Sequence, residues 1–170
     1  GTVLRSLTPP LSLSQNVQDR RVHVVGCPID IGPGRRRGVD MCATMLRASD
    51  LKTRIQSTGY DVADHGNVEV SQDLLRHIRR LRRGGSQQSD EAFFSENIQP
   101  HVSDVLEGLA QETYSAVKAN GLPLVLGGDN CTTVGGLVGA QRARAEMAKL
   151  PLGLLVFNAH AGCNTWKTTK

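Results

Sequence analysis

Two apolar segments of this chain each end abruptly in polar residues, and this pattern restricts the folds that the chain can adopt. Residues 152–157 follow Pro151 and lead into Asn158, and residues 122–126 lead into a Gly-Gly-Asp-Asn sequence that ends at Asn130. Continuous apolar runs of this length are typical of strands that are buried on both faces of a parallel sheet. Because ligand sites in such sheets lie beyond the carboxyl ends of the strands, the two segments predict one shared site.

The other segments alternate between strand-like and helix-like patterns. Short β-rich runs predict strands at residues 22–28 and 60–64, followed by a turn at 65–67. Apolar residues at helical spacing predict helices at residues 43–58, 69–83, 101–120 and 132–150, the last with small residues for packing on the sheet. The order β-α-β-α-α-β-α-β predicts a mainly parallel sheet with helices on both faces. We expect a single domain over residues 1–170, with a loose arm at residues 1–20.

Composition and charge exclude several classes of function. The net charge is +4, but the excess is local, with arginine runs at residues 35–37 and 76–83 that are typical of solvated surface. Aromatic residues make up only 4% of the chain, which argues against stacking on single-stranded nucleic acid. No apolar run approaches the roughly 18 residues that a membrane span requires. We therefore expect neither a nucleic-acid partner nor a membrane.

The cysteines and the amino terminus indicate an intracellular location. The four cysteines are widely separated and form no CxxC pair, which favours reduced thiols over a disulfide or a zinc site. Residues 1–17 lack the charged-then-apolar pattern of a signal peptide. We expect a cytoplasmic or organellar protein.

A glycine-rich loop at residues 31–39 follows the first predicted strand. Glycines permit close backbone approach, so such a loop often borders a site. It lacks the Gly-Lys-Ser/Thr sequence of a P-loop and the GxGxxG spacing, so a phosphate-binding role is not expected.

From about Val22 to Thr169, the chain resembles the arginase (ureohydrolase) family. The resemblance is carried by an ordered set of motifs: Arg-Gly-Val ending at Val39 with Leu-Arg ending at Arg47, then Leu-Val-Leu-Gly-Gly-Asp ending at Asp129, and finally Asn-Ala-His ending at His160 with the Asn-Thr after it. Each motif is weak alone, but their order is specific.

The resemblance implies a three-layer αβα fold of the arginase/deacetylase type and a homo-oligomer, usually a trimer. In that family two manganese ions share a hydroxide, which attacks a guanidinium carbon and releases urea. Two dications lower the pKa of bound water enough to give a nucleophile near neutral pH. The family's sheet continues past the position that matches Lys170, so we expect this chain to carry an incomplete, first part of the domain.

Four of the family's metal-ligand positions fall in this chain, and three are substituted. Asn130 stands where the family has histidine, Asn158 and Gly162 stand where it has aspartate, and His160 is retained. Both negative charges that these positions would supply are absent, and manganese prefers such ligands. We therefore expect no bound metal, no other cofactor and no catalytic residue: an inactive arginase-like protein with a structural or regulatory role.

Two alternatives stay open. A ureohydrolase could hold metal weakly through His160 and residues beyond Lys170, or the site could bind an amino acid as a sensor. Asn164 matches a family position that contacts the amino-acid end of the substrate, although a turn-forming asparagine explains it equally well. Cys131 and Cys163 flank the site, where buried packing is the commoner role for such residues.

Overall fold

The computed structural model describes residues 21–31, 38–83, 96, 98–148 and 152–158. It contains three strands: β1 (Arg21–Cys27), β2 (Asp61–Asn67) and β3 (Leu122–Gly127). A 3-10 turn (Val39–Met41) precedes five helices: α1 (Cys42–Ala48), α2 (Leu51–Gln56), α3 (Gln72–Arg83), α4 (Gln99–Lys118) and α5 (Thr132–Glu146). The predicted arm at residues 1–20 lies outside the described residues.

The three strands form one parallel sheet in the order β2-β1-β3. β1 is therefore central, and Val22 lies opposite Val62 on one side and Leu122 on the other. This confirms the predicted parallel sheet. It also places the carboxyl ends of β1 and β3 side by side.

Alternate residues of β1 enter two separate cores. Val22 and Val24 pack with Ala43 and with partly buried residues of α2 on one face. Val25 and Cys27 pack with residues of α3 and α4 on the other face. Because successive side chains of a strand point to opposite faces, a central strand with apolar residues at nearly every position needs helices on both sides. The result is a three-layer αβα arrangement, as predicted.

Helices α4 and α5 pack unusually closely through glycines. A Cβ atom on Gly139 would lie 1.9 Å from the carbonyl oxygen of Ala110, and one on Gly135 would lie 2.8 Å from that of Leu106. Of the small residues predicted to pack on the sheet, Gly136 does contact Val125 of β3. Gly135 and Gly139 instead contact α4, because one face of α5 must accommodate a neighbouring helix backbone.

The predicted helix at residues 43–58 is wrong in one respect, since it is two helices. Asp50, between α1 and α2, has a φ of 60°, in the left-handed region. Aspartate enters this region more readily than most residues. The Ser49 hydroxyl donates a hydrogen bond to the Leu46 carbonyl and so helps to end α1. Local side-chain bonding therefore outweighs the continuous helical pattern.

The predicted turn at residues 65–67 is also wrong, because β2 continues to Asn67. The register shifts between Val24 and Gly26 of β1, where β2 has one more residue than its partner. Gly66 takes a φ of 75° within this bulge. Gly66 therefore marks a bulge inside the strand. β2 continues past this bulge because its pairing with β1 resumes at Asn67.

The predicted fourth strand at residues 152–157 is not formed in the structure. Residues 152–158 have no regular secondary structure, and Leu155 and Phe157 are 77% and 89% exposed. A strand this apolar needs a hydrogen-bonded neighbour and cover on both faces. Within the described residues β3 is an edge strand, and of this segment only Leu152 packs against the core, beside α4 and α5.

Arg47 of α1 ties the first layer of helices to the end of β2. Its guanidinium donates hydrogen bonds of 2.8 and 2.9 Å to the two carboxylate oxygens of Asp64. It also donates to Asn67 Oδ1 and to the Gly66 carbonyl, each at 2.7 Å. The bonds from Arg47 to Asp64 lower the pKa of the Asp64 carboxyl below its ordinary value. The planar fork of arginine suits such a set of acceptors.

We expect Arg47→Lys to lower the free energy of unfolding by about 1–3 kcal/mol, because lysine keeps the charge but loses the paired bonds. Urea unfolding at pH 7 measures this change. Arg54→Lys, at an exposed position of α2, is the matched control and should change stability by less than about 0.5 kcal/mol. Equal effects of the two substitutions would contradict the role assigned to Arg47.

The same contact predicts a dependence of stability on pH. A carboxyl with a lowered pKa in the folded state stabilises that state above its ordinary pKa of 3.8, and this contribution disappears as pH falls through the lowered value. Asp64→Asn should therefore destabilise the protein at pH 7 and reduce its loss of stability below about pH 4.

In the part of the chain that the structure describes, no helix is long and apolar enough to cross a membrane.

Candidate functional site

The loops that follow β1 and β3 are in direct contact. The Asp129 N–H donates a 2.9 Å hydrogen bond to the Ile29 carbonyl. A Cβ atom on Gly128 would lie 2.1 Å from that same carbonyl oxygen, so only glycine allows the loops to approach this closely. The Gly-Gly-Asp sequence thus brings Asn130 to the carboxyl end of the central strand.

Asp30 fixes the glycine-rich loop at the edge of this site. Its side chain is buried, and its Oδ2 accepts a 2.9 Å hydrogen bond from the Gly38 N–H. The middle of the loop, residues 32–37, lies outside the described residues. Asp30 was not identified from the sequence. A single acidic residue between Ile29 and Ile31, at the start of the glycine-rich loop, is the signal that could have found it.

The first turn of α5 holds Asn130 in place. The Thr132 hydroxyl donates a 2.8 Å hydrogen bond to the Asp129 carbonyl. The Thr133 N–H donates a 3.1 Å bond to the carbonyl of Asn130 itself. The Asn130 side chain is left exposed at the top of the sheet.

The side chains of Asn130 and Asn158 are hydrogen-bonded to each other. Nδ2 of Asn158 donates to Oδ1 of Asn130 over 2.7 Å. The two positions are 28 residues apart, and the sequence predicted that they share a site. The remaining predicted residues, His160, Gly162, Cys163 and Asn164, lie outside the described residues.

Among the side chains that the structure describes, no group of three or more His, Cys, Asp or Glu residues is arranged to hold a metal ion. Asn130 and Asn158 together provide neutral amides, one of which uses its oxygen to accept the other's N–H. An amide nitrogen of this kind is a donor and does not bind metal. The two described positions that the resemblance matches to metal ligands thus carry neutral amides bonded to each other.

Cys27 is a buried thiol and Cys131 a half-buried one beneath this site. Burial, reinforced by the nearby Cys131, raises the pKa of Cys27 to about 12. Burial, reinforced by the Asp129 carboxylate, raises the pKa of Cys131 to about 11. Both are free cysteines that pack with the core around α4. Thiols in such surroundings are weak nucleophiles, which supports a packing role for Cys131.

We expect iodoacetamide at pH 8 to alkylate Cys27 at least about 100-fold more slowly in the folded protein than in urea, because so little of it is thiolate. Cys131 should be protected in the same way. Peptide mass mapping after timed quenching measures each site separately. Rapid modification of Cys131 in the folded state would show that it is accessible and ionised.

The fold and the site define a class of protein: a three-layer αβα domain with loops at the carboxyl ends of a parallel sheet. A family model described as the Arginase family matches residues 20–170. This chain belongs to the arginase family.

Individual relatives agree with this assignment. The arginase of Bacillus subtilis (strain 168) is 29% identical over 154 residues, which cover 89% of this chain and 44% of that enzyme. A crystal structure of arginase from Bacillus subtilis subsp. subtilis str. 168 superposes with a TM-score of 0.55 at 29% identity, over 73% of this chain and 35% of that chain. The native arginase of Bacillus caldovelox gives a TM-score of 0.56 at 26% identity, over 71% and 36%. The chain thus spans less than half the length of these relatives.

Proposed function

We propose that this member of the arginase family does not hold a manganese pair and does not hydrolyse arginine. The observation that carries the proposal is the hydrogen bond between Asn158 and Asn130. Two positions that match metal ligands in the family contact each other directly. Neither carries a charge.

The charge balance supports this proposal. Manganese is a hard dication that favours carboxylate and imidazole ligands, and its charge must be compensated. Asn158 is nearly the shape of aspartate but neutral, and Gly162 has no side chain. Of the four matched positions only His160 keeps the family's residue.

The same substitutions suit a site without metal. Carboxylates crowded at the end of a sheet repel one another unless cations neutralise them. A pair of amides avoids this repulsion, because one can donate a hydrogen bond to the other. The loop that follows β3 and the segment that ends at Asn158 are thereby joined through a neutral contact.

Metal analysis and an activity assay test the proposal together. The purified chain is incubated with MnCl₂, desalted, analysed for bound manganese and assayed for urea released from arginine. We expect no stoichiometric manganese and no urea, whereas Bacillus subtilis arginase treated identically should show both. Stoichiometric manganese with turnover would overturn the proposal in favour of a ureohydrolase with an altered metal site.

We further propose a structural or regulatory role, exercised through a homo-oligomer, with a trimer expected from the family resemblance. Light scattering of the purified chain measures the oligomer, and a monomer at all concentrations would contradict it. The free thiols Cys27, Cys42 and Cys131 support an intracellular location. Amino-acid binding at Asn164 stays a prediction, which calorimetry with arginine and ornithine can test.

A further inference from the structure

Three polar side chains form a row between α4 and the sheet, apart from the site described above. The rings of His23 in β1 and His65 in β2 lie within 20° of parallel, and Nδ1 of His23 is 2.9 Å from Nε2 of His65. Beyond the second ring, Oε2 of Glu112 in α4 lies 3.5 Å from Nδ1 of His65. We name these three residues the histidine clamp, because they connect two strands to the middle of α4.

The backbone holds the two imidazoles of the clamp in position. His23 lies opposite Ala63, and His65 follows two residues later on the face toward α4. A Cβ atom on Gly121 would be 2.3 Å from Cδ2 of His23, so the backbone at Gly121 lies against that ring and limits its movement. The contact between the two rings is therefore set by strand register and by the close approach of Gly121.

The hydrogen bond between the two rings can hold only one proton. One of the facing nitrogens must donate an N–H, and the other must accept it through a lone pair. A neutral pair of histidines meets this requirement, and so does a pair with one added proton, in which the charged ring donates to the neutral one. A pair with two added protons does not, because both facing nitrogens then carry hydrogen and two cations are in contact.

Glu112 favours the first added proton. Its carboxylate is at ion-pair distance from Nδ1 of His65, so a charged ring at His65 has an anion on one side and the lone pair of His23 on the other. The side chains of His65 and Glu112 are 36% and 43% exposed, so solvent screens this attraction and reduces its strength. The clamp thus favours one positive charge and opposes two.

The neighbouring charged side chains are paired with one another. On the same face of the sheet, the next residues along the two strands are Arg21 and Asp61, which form an ion pair of 3.1 Å. On the opposite face, Asp64 is bound by Arg47 at 2.8 Å. β3 contributes no charged residue to either face. Each of these anions is balanced by its own cation, whereas the Glu112 carboxylate faces the histidines.

We propose that the histidine clamp is a pH-sensitive device, which holds α4 to the sheet while the two histidines carry at most one added proton and opens when a second proton binds. Both protons come from the solvent. Free imidazole gains its proton near pH 6.5, so the second proton binds the clamp only at lower pH. His65 is 36% exposed whereas His23 is held by Gly121, so it is the His65 ring that swings toward solvent. The connection between α4 and β1 is then lost.

The two protons have opposite effects on stability. The folded clamp holds the first proton more tightly than the unfolded chain does, so this contribution is full below about pH 6.5 and disappears as pH rises. The folded clamp holds the second proton less tightly than the unfolded chain does, so stability falls as pH decreases below about 6.5. The clamp therefore stabilises the fold most near about pH 6.5 and weakens it in acid.

An NMR titration of the carbon-bound imidazole protons between pH 8 and pH 4 tests the proposal. In the unmodified protein, the signals of His23 and His65 should change together in two steps at least about one pH unit apart, because coupled groups titrate as a pair. In His65→Gln, His23 should show a single step. Glu112→Gln should move the first step to lower pH. His101→Gln is the matched control, because His101 stacks on His77 elsewhere in the fold, and it should leave both steps unchanged.

Urea unfolding at pH 6.5 and at pH 5 measures the consequence for the fold. A difference of one whole bound proton would raise the unfolding constant about 30-fold over this range, and solvent screening reduces this figure. We expect the constant of the unmodified protein to rise at least about threefold more than that of His65→Gln. The comparison is between two pH values for each protein, so it is valid even where the substitution changes overall stability.

Independent single steps of His23 and His65 at the same pH, or an equal rise of the unfolding constant in His65→Gln, would overturn the proposal. A loss of the two steps in His101→Gln would do the same. None of these results depends on manganese or on arginine hydrolysis, so failure here is distinct from failure of the proposed function.

Discussion

Replacing Gly139 with alanine is expected to destabilise the protein by about 2–3 kcal/mol, although alanine favours helices more than glycine does. The added Cβ atom would lie 1.9 Å from the Ala110 carbonyl oxygen and 2.2 Å from Oγ1 of Thr113. Thr113 cannot move away freely, because it is buried and its hydroxyl bonds back to the Leu109 carbonyl at 3.1 Å. The helices α4 and α5 must therefore separate.

Gly108→Ala is the matched control for this substitution. Gly108 lies within α4 on its exposed side, and a Cβ atom there would meet nothing within 4 Å. The same chemical change should stabilise the protein by about 0.5–1 kcal/mol, since glycine is unfavourable in helix interiors. Urea unfolding of both variants should measure a difference of about 2.5–4 kcal/mol. Two substitutions of equal sign would show that the helices do not approach as described.

The triple substitution Asn130→His, Asn158→Asp and Gly162→Asp is expected to create manganese binding, with an affinity at least about 100-fold above that of the original chain. Together with His160 it supplies the four ligand residues, two histidines and two aspartates, that the family has at these positions. Two carboxylates near a dication contribute several kcal/mol each, and about 1.4 kcal/mol is tenfold in affinity. Equilibrium dialysis with MnCl₂ followed by metal analysis measures the change.

The control for the triple variant is a variant that gains no carboxylate. Asn130→His with Gly162→Asn restores the imidazole and adds a side chain of similar size, but it leaves Asn158 and introduces no charge. It should bind manganese no better than the original chain. If the charged triple variant also binds none, the assignment of Asn130, Asn158 and Gly162 to ligand positions is wrong.

Strand and helix positions were largely predictable because they depend on local periodicity. Each described strand was found to within a few residues, since β1 and β3 carry apolar residues on both faces. Asp50 was missed because a left-handed residue leaves no trace in a helical pattern. Gly66 was misread as a turn because glycine marks bulges as well as turns. The segment at residues 152–157 has a strand's composition, but an apolar strand forms only where neighbours cover it.

Some residues of the candidate site could likewise be predicted from the sequence, and others could not. The resemblance alone predicted that the neutral residues Asn130, Asn158 and Gly162 belong to the site. Asp30 was not predicted, because its importance comes from the bond to the Gly38 N–H. A buried carboxylate looks like any acidic residue until its partner is known.

The sequence by itself determined the parallel three-layer fold, the family and the neutral residues Asn130, Asn158 and Gly162, since all three follow from residue type and order. Only the tertiary structure decided which side chains meet. The Asn130–Asn158 bond, the Arg47 contacts and the hydrogen bond between His23 and His65 join residues far apart in the chain. Such contacts depend on strand register, on a bulge in β2 and on glycines that allow close approach. Those are properties of the packed backbone, and local periodicity does not encode them.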